Sequence, residues 1–272
     1  MEKLVIIDSH ALIHRAYHAL PVLTSPGGQP VQAVYGFASV LMRVLKELKP
    51  QYVVAAFDMA GPTFRHKEFK DYKAQRPVTD DALINQFPLV KELVAVFNIP
   101  VLECQGYEAD DVIGTVVEKL KNKKNLEKII VTGDLDSLQL IDDENVKVYT
   151  LKKGVNDTVI YDAAAIKARF DGLGAAQMAD FKGLKGDPSD NIPGVPGIGE
   201  KTAITLLKEY GSLEGLYQNL NKLKAQSPKL FEKLSVNKDQ AFLSKKLAII
   251  KRDVPIDFDI IAASFDLAED EK

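Results

Sequence analysis

Lys128–Ser137 reads KIIVTGDLDS, a short β-branched run that stops at a glycine and two carboxylates. A run this short, rich in Ile and Val and bounded by a turn residue, has the pattern of a buried strand. Four more runs outward from it have the same form: Leu4–Asp8, Tyr52–Asp58, Pro100–Cys104 and Val146–Leu151. Between them lie Val34–Leu48, Leu83–Phe97 and Asp111–Leu120, whose apolar residues recur at helical spacing. Such alternation means crossover connections and a mainly parallel sheet. The expected fold class is therefore α/β, with a mostly parallel central sheet and flanking helices. Ligands of such sheets sit beyond the carboxyl ends of the strands. Asp8, Asp58 and Asp134 each close a run there, and Glu108 follows its strand by a short turn and opens the next helix.

The acids gathered at these ends and in nearby turns are Asp8, Asp58, Glu108, Asp110, Asp111, Asp134, Asp136, Asp187 and Asp190. Two like charges about 4 Å apart repel by roughly 1 kcal/mol in water and about 4 kcal/mol at an effective dielectric of 20. A cluster of them needs cations or protons between its members. Hard oxygen ligands favour Mg²⁺ or Mn²⁺, and the expected arrangement is a two-metal centre of the kind that works on phosphate esters.

Each acidic motif also has a plainer reading. GYEADD, Gly106–Asp111, could be helix N-terminal chemistry, since acids there favour the macrodipole. That accounts for one or two acids, not three beside four other strand-end acids. The DxD pair Asp134 and Asp136 also fits a nucleotide-sugar metal motif or a phosphatase pair. A phosphatase pair would come early in the chain, and this one follows the fourth run, which favours a metal role. In GDPSDNIPG, Gly186–Gly194, Asp187 and Asp190 suit turns as well as a metal.

The 38 acids outnumber the 35 lysines and arginines, for a net charge of −3. Outside the nine clustered acids the chain is net basic, so the placement of basic residues matters more than the total. Pro62–Pro77, PTFRHKEFKDYKAQRP, places Arg65, Lys70, Lys73 and Arg76 among Phe64, Phe69 and Tyr72, a mixture suited to single-stranded nucleic acid. A solvated amphipathic helix is the alternative. Gly194–Ala203, GVPGIGEKTA, packs Gly194, Gly197 and Gly199 before a helix start carrying Lys201 and Thr202. Free amides at a helix start bind phosphate, and DNA is favoured there over a plain interhelical turn. His10, His14 and His18 share a helix face, for which hydrogen bonding or phosphate contact is favoured over zinc. Cys104 is expected in the core.

No apolar stretch reaches the ~18 residues of a membrane span. The N-terminus lacks the features of a signal peptide, and a lone cysteine excludes an internal disulfide. A cytoplasmic setting with no membrane partner is expected. Strand signals end after about residue 160, with one weak extended piece near Val254–Ile260. A soft boundary is placed near residue 175, giving domains 1–175 and 176–272, with a frayed acidic tail over 267–272.

Taken in order, LVIIDSHALIHRAYHALP, FDMAGPTFRH, YKAQRP, GYEADDVIGT, VTGDLDSLQL and GLKGDPSDNIPGVPGIGEKTA resemble the 5′ nuclease (flap endonuclease) family. The resemblance is closest to the 5′→3′ exonuclease domain of bacterial DNA polymerase I and spans nearly the whole chain. It implies a PIN-like core, a helical arch over about 62–80, and a helix–three-turn–helix element over about 183–215. It implies that Asp8, Asp58, Glu108 and Asp110 hold one metal and Asp134, Asp136 and Asp190 a second, with Asp111 and Asp187 nearby. Lys73 and Arg76 match the basic pair of the arch and Tyr72 its stacking aromatic. Gly197–Thr202 matches a turn that grips duplex DNA, often through K⁺. Leu135, Ser137 and Gln75 depart from the family pattern, and none removes a metal ligand. The implied function is cleavage of branched or 5′-flapped DNA to 5′-phosphate and 3′-hydroxyl ends in replication and repair, by a monomer that is free-standing or the N-terminal part of a DNA polymerase I. A non-catalytic junction binder and a PIN-like ribonuclease are the rival classes.

Overall fold

The computed structural model describes residues 1–142, 144–154 and 157–266. The expected acidic tail lies outside the described residues. Among those residues, six strands form one sheet in the order β3-β2-β1-β4-β5-β6. They are β1 (Glu2–Asp8), β2 (Tyr52–Ala56), β3 (Val101–Leu102), β4 (Leu126–Thr132), β5 (Val146–Lys153) and β6 (Asp157–Tyr161). The first five pair in parallel, as expected from the buried apolar runs, and β6 is antiparallel to β5. β6 was not expected. Its residues Asp157–Tyr161 are mostly half-buried or exposed, so they carry none of the continuous apolar signal that marks the others.

The chain leaves β1 toward β2 and β3 on one side, then returns to place β4 on the other. Connections therefore diverge between β1 and β4, the topological switch point at which open parallel sheets bind ligands. The Gln32–Leu48 helix buries Phe37, Val40, Leu41, Val44 and Leu45 against Val5, Ile7, Val53, Ala55, Ile129 and Val131. Its start lacks a side-chain cap of its own, and the buried Gln86 supplies one, its Oε1 accepting the Ala33 amide at 2.8 Å. The helix expected over Leu83–Phe97 is divided at Asn85 into Asp81–Ile84 and Gln86–Val96. The piece near Val254–Ile260 forms no strand. Beyond it, Ser264 bridges Tyr52 and the Phe265 amide donates to the Gln51 carbonyl at 2.8 Å.

By contacts the chain forms two units, one of Met1–Gly61, Val78–Asp162 and Lys251–Lys272, the other of Pro62–Pro77 and Ala163–Ile250. This differs from the expected continuous cut near residue 175, because Pro62–Pro77 packs with the later helices and the chain returns to the first unit at Lys251. In the second unit the Met178–Lys185 helix packs on Lys238–Ala248. Lys245 reaches Asp180 at 2.6 Å, and Asp180 accepts the Leu213 amide at 3.0 Å. The segment expected as a helical arch is one short helix, Phe64–Glu68, followed by turns. Among the described residues no helix is long and apolar enough to cross a membrane.

Candidate metal centre and DNA-contacting elements

β1 ends on Asp8, whose Oδ1 accepts the Ala11 amide at 3.1 Å and caps the Ser9–Ala19 helix. Its Oδ2 accepts the Thr132 hydroxyl at 2.6 Å, from the last residue of β4. Asp58 follows β2 and its Oδ1 accepts the Ala109 amide at 2.5 Å, at the start of the Ala109–Lys119 helix, where a negative charge suits the dipole. The Asp58 amide donates to His10 Nδ1 at 3.3 Å. Glu108 is the N-cap of that same helix. Asp110 accepts the Ser137 hydroxyl at 3.0 Å. Past β4, the Asp134 amide donates to Thr132 Oγ1 at 2.9 Å, and Asp134 Oδ1 accepts the Asp136 amide at 3.0 Å.

Burial raises the Asp8 carboxyl to about 7; the bonds from Thr132 and Ala11 lower it, and the charges of Asp58 and Asp134 raise it further. Asp110 stands well above the usual carboxylate range, first through burial and then through Asp8, Asp134, Asp136 and Glu108. Asp8, Asp58, Glu108, Asp110, Asp134 and Asp136 thus come from three strand ends and one helix start into a shared electrostatic field. That concentration is what a bound cation or proton relieves.

The donor set is carboxylate oxygen throughout, the chemistry that hard divalent cations require. Yet among the described residues no three His, Cys, Asp or Glu groups stand at the spacing of a finished metal site. This corrects the expectation of a cluster already drawn tight enough to share an ion. The physical reason is the mutual repulsion of the carboxylates, which favours their separation. Asp8, Asp58, Asp110 and Asp134 each also accept a hydroxyl or backbone amide, which leaves acceptor sites free on each. Asp111 is a second correction. It is fully buried, and its two oxygens accept the Glu108 amide at 3.1 Å and the Lys251 amide at 2.8 Å, so it fastens the helix start and the returning chain. His10 is engaged by the Asp58 amide, and the zinc reading of the histidine face gains no support. Cys104 is half-buried rather than in the core.

In the second unit, Asp190 is 7% exposed and its carboxylate is taken up by neighbours. Oδ2 accepts the Tyr72 hydroxyl at 2.9 Å, Oδ1 accepts Arg76 at 2.7 Å, and Lys73 Nζ lies 3.9 Å from Oδ2. Asp187 pairs with Lys182 at 2.5 Å. Burial raises its carboxyl, but Lys182 and the Ser189 bonds outweigh that and hold it below the usual range. Tyr72 is 2% exposed, packed with Ile192, Leu247 and Ala248, so it presents no face for base stacking as expected. Arg65 is likewise buried, donating to the Leu247 and Ile249 carbonyls at 2.8 and 2.9 Å, and so caps a helix end rather than meeting DNA. Lys70 is exposed.

The glycine-rich turn joins the Met178–Lys185 and Glu200–Tyr210 helices. Gly186 and Gly194, both at positive φ, cross so closely that a Cβ on Gly194 would lie 2.2 Å from the Gly186 nitrogen. Gly194 is buried, its amide donating to Ser244 Oγ and its carbonyl accepting from Gln240. It closes the turn, and its burial leaves little surface for the DNA contact expected of it. Gly197, Gly199 and Lys201 are exposed and Thr202 half-exposed, with Gly199 the N-cap of the following helix. Reading acids alone missed Thr132 and Ser137, both fully buried. For Thr132 the available signal was a hydroxyl at the end of an apolar strand two residues before an acid; Ser137 follows Asp136 in a short helix beyond that strand.

The described residues thus combine a mostly parallel sheet carrying carboxylates along its carboxyl edge with a glycine-rich turn between two helices, a pairing of features that the comparisons with known proteins place in one family. Two family models match in tandem: "5′-3′ exonuclease, N-terminal resolvase-like domain" over residues 3–171 and "5′-3′ exonuclease, C-terminal SAM fold" over 173–271. The chain belongs to the 5′-3′ exonuclease family. It is 48% identical over 256 residues to DNA polymerase I of Caldicellulosiruptor bescii, covering 93% of this chain and 29% of that protein. It is 44% identical over 259 residues to DNA polymerase I of Bacillus subtilis, covering 95% and 29%. The chain therefore spans less than a third of the length of these relatives. Among solved structures, bacteriophage T5 5′-exonuclease with bound divalent metal ions (zinc) matches with a TM-score of 0.72 at 22% identity, covering 91% of this chain and 89% of that one. The catalytic core of Rad2 in complex with DNA substrate matches at 0.60 and 18% identity, covering 98% and 84%.

Proposed function

We propose that this chain hydrolyses phosphodiesters of branched or 5′-flapped duplex DNA, leaving 5′-phosphate and 3′-hydroxyl ends, in the removal of primers and flaps during replication and repair. One observation carries the reading: Asp8, Asp58, Glu108, Asp110, Asp134 and Asp136 share one electrostatic field at the carboxyl edge of the sheet. These six are the residues that would hold Mg²⁺ or Mn²⁺, and Asp187 and Asp190 are engaged by partners within their own unit. Divalent ions bound by such carboxylates activate water and stabilise the leaving oxygen.

The chain's own contributions follow from exposure and charge. Gly197, Gly199, Lys201 and Thr202 offer backbone amides and a cation to duplex phosphates at a helix start, with K⁺ as a candidate bridging ion. Lys73 and Arg76 are cations that a phosphate can take over from Asp190, in the way positioned charges stabilise developing negative charge. Such contacts read backbone and ends, so specificity follows DNA shape rather than base sequence. A monomer acting in the bacterial cytoplasm completes the proposal.

The test is incubation of the 272-residue chain with end-labelled 5′-flap DNA, and in parallel flap RNA, with Mg²⁺ or with EDTA. Cleavage of DNA in Mg²⁺ alone supports the proposal. Binding without cleavage would establish the junction-binder reading, and preferential RNA cleavage the ribonuclease reading.

A further inference from the structure

We propose that Thr132 is a positioning residue that holds Asp8 and the Asp134 turn in the geometry a divalent cation requires. The inference rests on the proposed nuclease centre and goes beyond it, because the side chain concerned is not an acid and contributes no charge.

Thr132 is the last residue of β4 and is fully buried. Its backbone lies between two parallel neighbours: Val131, just before it, pairs with Ile7 of β1, and Thr132 itself pairs with Thr150 of β5. The hydroxyl is thus mounted on a strand fixed on both sides, and its β-branched side chain has a stiff χ1. It makes two bonds of opposite sense. Oγ1 accepts the Asp134 amide at 2.9 Å and lies 2.6 Å from Asp8 Oδ2. An amide can only donate, so one lone pair of the hydroxyl is committed to Asp134. A hydroxyl carries a single proton, and that proton is directed at Asp8.

One hydroxyl therefore ties the carboxylate that ends β1 to the turn that carries Asp134 and Asp136 beyond β4, across the switch point of the sheet. Asp8 accepts one bond at each oxygen, from Thr132 and from the Ala11 amide. A carboxylate has about four lone-pair sites, so this fixes its plane while leaving acceptor capacity for a cation. Donors that hold a ligand from behind set its direction, and removing them weakens metal binding by about ten- to a hundred-fold.

The experiment compares wild type, Thr132→Val and Thr132→Ser in three measurements: Mn²⁺ affinity by electron paramagnetic resonance of the free ion, melting temperature in EDTA, and the Mg²⁺ dependence of flap cleavage. Thr132→Val keeps the shape and removes both bonds; Thr132→Ser keeps both bonds. The expected result is Mn²⁺ affinity lowered by about ten- to a hundred-fold in the valine variant and restored in the serine variant. The Mg²⁺ midpoint for cleavage should move by a similar factor. Unchanged Mn²⁺ affinity in a folded valine variant overturns the inference. So does serine that matches valine in affinity, whatever the valine variant does to folding. Failure of the wild type itself to cleave would overturn the nuclease reading instead, and the Mn²⁺ comparison would still decide the role of Thr132.

Discussion

The Tyr72 hydroxyl donates to Asp190 Oδ2 at 2.9 Å from a ring that is 2% exposed. An aromatic expected to stack on a base is instead part of a small core with Ile192, Leu247 and Ala248. Tyr72→Phe removes one hydrogen bond to a buried carboxylate and should cost about 1.5–3 kcal/mol. Tyr72→Ala also removes the ring and should cost about 3–5 kcal/mol. Urea denaturation midpoints measure both. A fully stable Tyr72→Ala variant with impaired DNA binding would restore the stacking role.

Arg65 satisfies the carbonyls of Leu247 and Ile249, at the end of the Lys238–Ala248 helix. Arg65→Ala leaves those acceptors and a buried cavity behind, with an expected loss of about 2–4 kcal/mol. DNA affinity, measured well below the melting temperature, should stay within about two-fold, since a buried guanidinium does not meet phosphate. A stable variant with weakened DNA binding would return Arg65 to the DNA-contacting set.

How much of this was legible in the residues differs from place to place. The parallel sheet was, because strands buried on both faces have no polar alternation to obscure them; Val53–Ala56 and Ile129–Val131 are examples. β6 was hidden because its exposure follows no clear period. The acids were legible as a set because charge at a strand end is conspicuous. Their division of labour was not. Asp110 and Asp111 are neighbours in one motif, yet one lies in the shared field and the other is a buried fastener. Only the partners in space, Ser137 for one and the Lys251 amide for the other, separate them. Arg65 and Tyr72 were misassigned for the same reason: a basic–aromatic stretch reads as a solvent face until distant Leu247 and Ile249 are seen to cover it.

Asp134 and Asp111 should therefore fail in opposite ways. Asp134 is exposed, so Asp134→Ala should leave the melting temperature almost unchanged while lowering flap cleavage by about a hundred-fold or more. Asp111→Asn should cost about 2–4 kcal/mol of stability, because the Glu108 and Lys251 amides donate to different oxygens and asparagine turns one of these into an NH₂ that faces an N–H donor. Calorimetry and single-turnover cleavage on the same preparations separate the two. Normal turnover by Asp134→Ala would remove that residue from the centre.

The glycines of the turn divide in the same manner. A Cβ at Gly194 would overlap the Gly186 backbone, and Gly194→Ala should be severely destabilising, by about 3 kcal/mol or more. At Gly199 a Cβ meets nothing within 4 Å and φ is −95°. Gly199→Ala should fold normally and still weaken duplex binding if DNA backbone approaches there. Fluorescence anisotropy at two salt concentrations checks this. Wild-type affinity should fall steeply with salt, as phosphate contacts require, and unaltered affinity in Gly199→Ala would take the DNA away from this turn.

The raised carboxyl of Asp8 gives the metal-free protein a distinctive pH response. In the unfolded chain this group has its ordinary value of 3.8, and in the folded protein burial holds it at about 7. Between those values the folded state keeps a proton that the unfolded state has lost. Stability from this group is therefore present at low pH and falls as pH rises through that window, by an amount on the order of a few kcal/mol. Melts in EDTA from about pH 4 to about pH 8 should show wild type losing ground to Asp8→Asn as pH rises, since asparagine does not titrate. Mg²⁺ should reverse the trend at the upper end, because a cation replaces the proton in offsetting the neighbouring charges of Asp58 and Asp134. A wild-type minus Asp8→Asn difference that is flat with pH, or that Mg²⁺ leaves untouched, would mean that Asp8 is ionised throughout and that the carboxylate edge does not respond to cations.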